Sequence, residues 1–336
     1  KEKNLGISDE ILRPYLKLET VLNAIFELSH KLYGISFKEI KTIDLYNDAV
    51  STYEVFDMNG THLGIIYFDF FPRKSKKGGA WMTQYKDQYF EGGVDSRPHV
   101  SIVCNFTPPA NDRPSLLTFN EVVTLFHEFG HGLHGLLSKC HYTACSGTTV
   151  LWDFVELPSQ IMENWAFCPE VLKMFARHYE TGVNMPEEYV VKLQEEKKFM
   201  AGYSFIRQLE FATLDMAWHT LKTPVKDLDP VMFEKKILEK LDLFPKIEGT
   251  CTSTAFSHIF SGGYSAGYYS YKWAELLEAD AFAEFEKHGV LNQKVAMSFR
   301  KNILEKGGSE HPAVLFKKFK GRDPELAPLL RKFGFK

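Results

Sequence analysis

Phe126-His127-Glu128-Phe129-Gly130-His131-Gly132-Leu133-His134 decides how the rest of this 336-residue chain is read. It contains His-Glu-x-x-His in a segment with the marks of a helix. On a helix, residues i and i+4 lie one turn apart on the same face, so His127 and His131 can offer two imidazole nitrogens to one metal ion. Glu128 then stands beside the metal rather than on it, where a carboxylate can take a proton from a water activated by the ion. Thr118-Phe119-Asn120-Glu121 fits a capping box with Thr118 as N-cap. Val122, Val123, Leu125, Phe126, Phe129, Leu133, Leu136 and Leu137 follow with a helical rhythm. Gly130 and Gly132 weaken such a helix by roughly 1 kcal/mol each relative to alanine. That cost makes sense if another backbone or a substrate must come close. The pattern points to a zinc hydrolase with one Zn2+ per chain.

The composition sets bounds. Hydrophobic content of 44% and charged content of 25% are those of a globular protein, and the length allows a large core and two lobes. A net charge of −3 leaves no basic footprint for nucleic acid. No apolar run reaches the length of about 18 residues that a membrane span needs. Five scattered cysteines, odd in number and without a C-x-x-C pair, favour reduced thiols and a cytoplasmic location. Cys140 and Cys145 lie near the motif, but two helix-borne histidines need only one further ligand. Lys1-Glu2-Lys3-Asn4-Leu5 carries no apolar signal region and no initial methionine, so the chain is expected to be a piece of a longer one.

In chain order, residues 1–50 read as helical, with one helix from Ile11 to Leu32 and Pro14 near its start. Residues 51–106 read as a small sheet. Thr52–Asp57 and Leu63–Asp69 flank Asn59-Gly60, a hairpin signature. Ala80–Thr83 and Val100–Cys104 are further short strands, and Lys74 to Lys77 reads as a solvated basic turn. An edge of this sheet could accept an extended peptide as an added strand. Residues 118–180 carry the metal-site helices, the second beginning near Asp153. Residues 186–336 are helical again: Pro186 sits at a helix start, Val190 to Leu221 is periodic with Gly202 as its break, and Asp229 to Leu241 is amphipathic. Arg207, His219 and Glu195-Glu196-Lys197-Lys198 read as structural or solvated.

A catalytic zinc takes three protein ligands and keeps a position for water. Glu156 and Glu163 are the candidates for the third ligand, and their seven-residue spacing does not choose between them. Glu156, near Pro158 in apolar surroundings, is favoured as ligand, with Glu163 as the partner that orients a ligand histidine. A second informative stretch runs from Phe256 to Trp273. Its Gly262-Gly263 turn is read as preceding a helix on which Tyr264, Tyr268 and Tyr271 share one face. Phenols, with His258, are the donors that the oxyanion of an attacked peptide carbonyl requires.

Three stretches together, His127-Glu128-Phe129-Gly130-His131, Phe154-Val155-Glu156-Leu157-Pro158-Ser159-Gln160 and Gly262-Gly263-Tyr264 through Tyr271, resemble the signatures of the thimet oligopeptidase family of zinc metallopeptidases. The likeness is greatest to its bacterial oligopeptidase A and dipeptidyl carboxypeptidase members, and it extends to Gly307-Gly308-Ser309 and Gly321-Arg322-Asp323-Pro324. It implies a mainly α, multi-helical zincin-type catalytic domain with a small β-sheet before the zinc-binding helix. It implies His127, His131 and Glu156 as zinc ligands and Glu128 as base. Tyr268, Tyr271 and His258 are implied as catalytic donors, and Gly262, Gly263 and Tyr264 as substrate-binding residues. The family's two lobes flank a deep channel that admits short peptides. This chain resembles the C-terminal catalytic part, so an N-terminal half is expected to be missing and to be needed to close the channel.

The expected activity is hydrolysis of short oligopeptides in the endo-oligopeptidase manner, with release of C-terminal dipeptides as the alternative within the class. The rival from another class is a zinc-stabilised fragment that binds peptides without cutting them. Its sign would be a missing base or missing donors, and all are present.

Overall fold

The computed structural model describes residues 2–222 and 226–335. The capping box forms at the start of the helix Phe119–Leu136: Glu121 N donates to Thr118 Oγ1 at 3.1 Å and Thr118 N to Glu121 Oε2 at 2.7 Å. Glu121 also accepts from Thr107 N at 2.8 Å, which fixes the proline-rich approach to the helix.

This histidine helix lies on a mixed sheet. In chain order the strands are β1 (Ser36–Glu39), β2 (Ser51–Phe56), β3 (His62–Asp69), β4 (Trp81–Lys86), β5 (Tyr89–Glu91), β6 (Val94–Ser96) and β7 (His99–Val103). β1, β2, β3, β7 and β4 form one sheet in that spatial order, and β5 and β6 form a separate hairpin. β2 and β3 are the antiparallel pair that Asn59-Gly60 predicted, whereas β3 and β7 run parallel. β4 is therefore an edge strand. The histidine helix packs across β3, β4 and β7, with Ile66 and Ile102 against Gly132. One large apolar core unites this layer with the helices Leu18–Tyr33, Leu157–Phe167, Ser270–His288 and Gln293–Phe299. A small second core, Leu214, Leu238, Phe256, Ile259 and Tyr268, lies under the helices Ala201–His219 and Pro230–Leu238. No helix among the described residues is long and apolar enough to cross a membrane.

Several sequence expectations are corrected. The helix read from Ile11 to Leu32 is broken: a 3-10 turn, Arg13–Tyr15, precedes Leu18–Tyr33. The chain is extended at Lys17 because Leu18 N donates to Ser115 O and Leu117 N to Leu16 O, a bridge to a segment about a hundred residues away. β1 lies in the stretch read as helical. The break expected at Gly202 falls earlier, between Glu187–Glu196 and Ala201–His219, with Met200 at φ +54°. Tyr264 lies in an irregular stretch and Tyr268 in a turn, and the helix begins only at Ser270. Lys76 is not solvated: its side chain is 2% exposed and its ammonium donates to Asp69 Oδ1, Asp69 O and Phe71 O at 2.8–2.9 Å.

Arg300 ties the layers together from a site 1% exposed. It donates to Asp57 Oδ1 and Oδ2 (2.9 and 2.6 Å), Glu305 Oε1 (2.9 Å) and Tyr33 O (3.2 Å). These hydrogen bonds hold the Asp57 carboxyl below the usual carboxylate range. Arg300→Met removes the cation that Asp57 pairs with, while Glu305 keeps Lys139 at 2.9 Å. Losing one partner of a buried pair costs about 3–5 kcal/mol, so urea unfolding of this variant is expected to show a loss in that range; a loss under about 1 kcal/mol would contradict the account.

Candidate active site

His127 and His131 stand one turn apart, their ring planes 82° to each other. Their Nε2 atoms each lie 3.2 Å from Glu156 Oε2. Glu156 reaches this point because the helix is interrupted there. The short helix Trp152–Val155 ends, Glu156 is the junction at φ −85°, ψ −6°, and Pro158 opens the helix Leu157–Phe167. The junction turns a side chain only 1% exposed toward the histidines. Ser159 Oγ donates to Glu156 Oε2 at 2.8 Å, and the Tyr264 hydroxyl donates to Oε1. Burial opposes ionisation of Glu156, but the neighbouring His131 and His127 outweigh it and hold its carboxyl well below the usual range.

Glu163, two turns further along, lies behind the cluster. His127 Nδ1 donates to Glu163 Oε1 at 2.7 Å, which directs Nε2 toward Glu156. Burial disfavours a charged His127; its hydrogen bonds to Glu156 and Glu163 overcome this and raise its pKa well above the ordinary imidazole value. The donor set fits zinc: two imidazole nitrogens and one carboxylate oxygen, all within 4.8 Å of one another, form the His2Glu set of a catalytic site.

A cleft of about 910 Å³ opens over the cluster, with His127, Glu128, His131 and Glu156 at its surface. Glu128 is 6% exposed. Burial pushes its carboxyl up, against the opposing effect of His127 and His131. One wall is the edge strand, with Trp81 and Met82 at the cleft; the other is Val150 and Trp152. Of the residues expected from the second stretch, His258, Gly262, Gly263, Tyr264 and Tyr271 all border the cleft. Tyr271 stacks on Tyr264 at 4.9 Å and 26°. Tyr268 is placed behind them: it is 8% exposed, packs on Phe211 and Phe256, and its hydroxyl donates to Gln208 Oε1 at 3.2 Å. The His258 ring lies 5.6 Å from Tyr268 and 6.3 Å from Tyr271.

The sequence reading missed Ser159 and Trp152. Ser159 follows Glu156 by three residues at a helix start, a spacing at which a hydroxyl reaches back, so a signal was there. Trp152 carried none; it abuts Gly263, where an added Cβ would lie 2.5 Å from the indole.

The chain is a metallopeptidase with a mainly helical, zincin-type fold, which brings together a helix-borne pair of histidines and a carboxylate from a helix junction. Solved structures share the fold. PZ peptidase A with inhibitor 2 matches with a TM-score of 0.54 at 18% identity, over 80% of this chain and 42% of that one. The M32 carboxypeptidase from Deinococcus radiodurans R1 matches with a TM-score of 0.52 at 16% identity, over 96% and 59%. The chain belongs to peptidase family M3, which matches residues 1–335. Oligopeptidase A of Escherichia coli (strain K12) is 43% identical over all of this chain and 50% of its own length. Dipeptidyl carboxypeptidase of the same organism is 40% identical over 99% and 49%. The chain spans about half the length of the curated relatives it matches.

Proposed function

We propose that the chain holds one zinc ion through His127 Nε2, His131 Nε2 and Glu156, and that it hydrolyses peptide bonds within short oligopeptides in the manner of an oligopeptidase A. The observation that carries this reading is the meeting of two imidazole nitrogens on a buried carboxylate at the cleft, with Glu128 beside them. Bound there, zinc supplies a Lewis acid that polarises the scissile carbonyl and lowers the pKa of water toward about 7. Glu128 takes the proton of the attacking water and passes it to the leaving amine. Its burial, which raises its pKa, suits a group that must both accept and return a proton. Tyr271 and His258, on the cleft, face the developing oxyanion, and Tyr268 joins them by releasing Gln208.

The substrate enters as an extended strand along β4, whose outer edge pairs with no other strand among the described residues. Among the described residues lining the cleft, Lys77 is the single lysine or arginine, and it is exposed. A terminal carboxylate held by that lysine would make the chain release dipeptides instead, the alternative within the class. Relatives of twice the length leave room for a further half that walls the channel and limits it to short peptides. Five free thiols suit the cytoplasm proposed as its location.

The test is restoration: protein stripped by a chelator should regain peptide cleavage with one equivalent of zinc per chain, and cleavage unaffected by stripping would refute the reading. Glu163→Gln gives a finer check. Loss of a carboxylate behind a ligand histidine costs roughly 10–100-fold in metal affinity, so titration against a chromophoric chelator should show weakening in that range. Unchanged affinity would remove Glu163 from the zinc site.

A further inference from the structure

The loop that carries Tyr264 to the cluster and leads into the helix bearing Tyr271 is held from behind by a group that neither the sequence motifs nor the cleft includes. Asp215 lies on the helix Ala201–His219 and is fully buried. Its Oδ1 accepts from Ala266 N at 2.8 Å and its Oδ2 from Tyr268 N at 2.8 Å. His219 Nδ1, one turn along the same helix, lies 2.8 Å from Oδ1. The imidazole's hydrogen bond goes to the Asp215 carbonyl, His219 Nδ1 lying 2.9 Å from Asp215 O. The carboxylate itself gathers two backbone amides of one turn, and an anion that gathers the N–H groups of a turn fixes its conformation. The turn needs fixing. Ala266 has φ +54°, a left-handed backbone that costs a residue with a Cβ.

Two residues before Ala266, the Tyr264 hydroxyl donates to Glu156, and Tyr271 stacks on the Tyr264 ring. We propose that Asp215 is a positioning residue: by holding the backbone of Ala266 and Tyr268, it sets Tyr264 and Tyr271 beside the His127–His131–Glu156 cluster. His219 stands beside Asp215, hydrogen-bonded to its carbonyl. The inference rests on the proposed function for its catalytic consequence, but the anchoring stands on the contacts alone. Asp215 touches neither cleft nor cluster, so its removal reaches the chemistry only through the loop.

The test compares Asp215→Asn and Asp215→Ala with the wild type in zinc-loaded protein, by amide hydrogen exchange and by steady-state cleavage of a quenched ten-residue peptide. Asparagine keeps the size and one acceptor oxygen, so it remains informative should the alanine variant fail to fold. In Asp215→Asn, exchange at Ala266 and Tyr268 should rise at least about tenfold, with the Phe119–Leu136 helix as protected as before. Zinc content should be unchanged, and kcat should fall by about ten- to a hundredfold while KM moves by less than about threefold, as for a contact made only in the transition state. A merely structural aspartate would lower protection throughout the helix Ala201–His219 and leave kcat of the folded fraction intact, which would overturn the proposal. So would unchanged exchange at the two amides. A wild type that cleaves nothing would sink the proposed function instead, and the exchange result would still decide the anchoring.

Discussion

Glu128→Gln is expected to retain one zinc per chain and to lose about 10²–10⁴-fold in kcat, the range a positioned general base contributes. The two side chains have the same shape, and the site is 6% exposed, so packing is kept. The amide cannot accept the proton of the attacking water. Glu128 is no part of the His127, His131 and Glu156 group, so the metal has no reason to leave. Metal content and single-turnover rates on one sample separate the two effects. Undiminished turnover would remove Glu128 from the mechanism, and lost zinc would make it a ligand instead.

Gly130→Ala is expected to damage both stability and metal binding. A Cβ on Gly130 would lie 2.2 Å from Pro158 O and 2.6 Å from Ser159 Cα. Both are backbone atoms, so no flexible side chain can yield. The histidine helix and the Leu157–Phe167 helix must separate, which draws His127 and His131 away from Glu156. Alanine returns about 1 kcal/mol of helix propensity, but overpacking a close backbone contact costs about 1–3 kcal/mol or more. An overlap this deep belongs at the upper end, so the net loss is expected to be about 2 kcal/mol, with weaker zinc binding. Gly132→Ala is the control. Its Cβ would meet side-chain tips, Ile102 Cδ1 at 3.2 Å and Ile66 Cδ1 at 3.5 Å, which can shift. Denaturant midpoints and zinc titrations of the two variants should therefore diverge; equal behaviour would contradict the close packing at Gly130.

Local signals in the sequence were legible wherever local physics decides. The Thr118–Glu121 cap, the i, i+4 histidines and the Asn59-Gly60 hairpin each depend on residues close in the chain. Gly130 and Gly132 of the histidine helix announced a close approach, and the structure shows that at Gly130 it is the backbone of Pro158 and Ser159. What escaped was decided at long range. The helix expected from Ile11 is interrupted by a bridge to residues 115–117. Of the tyrosines expected on one helix face, Tyr271 lies on the helix, whereas Tyr264 and Tyr268 precede it in a segment whose Ala266 and Tyr268 amides donate to Asp215, some fifty residues earlier. Lys76 looked like one of a solvated run until Asp69 and two carbonyls enclosed it. The spacing of Glu156 and Glu163 left both open as ligands. The helix interruption before Pro158 turns Glu156 toward the histidines and leaves Glu163 on the far side of His127.

The most direct measurement is mass-spectrometric product mapping with zinc-loaded protein on a peptide of about ten residues, offered with a free and with an amidated C-terminus. Internal cuts in both forms, abolished by chelation, are the predicted result. An intact peptide in the presence of protein shown to hold zinc would contradict the account, and loss of C-terminal dipeptides from the free form alone would contradict its oligopeptidase assignment.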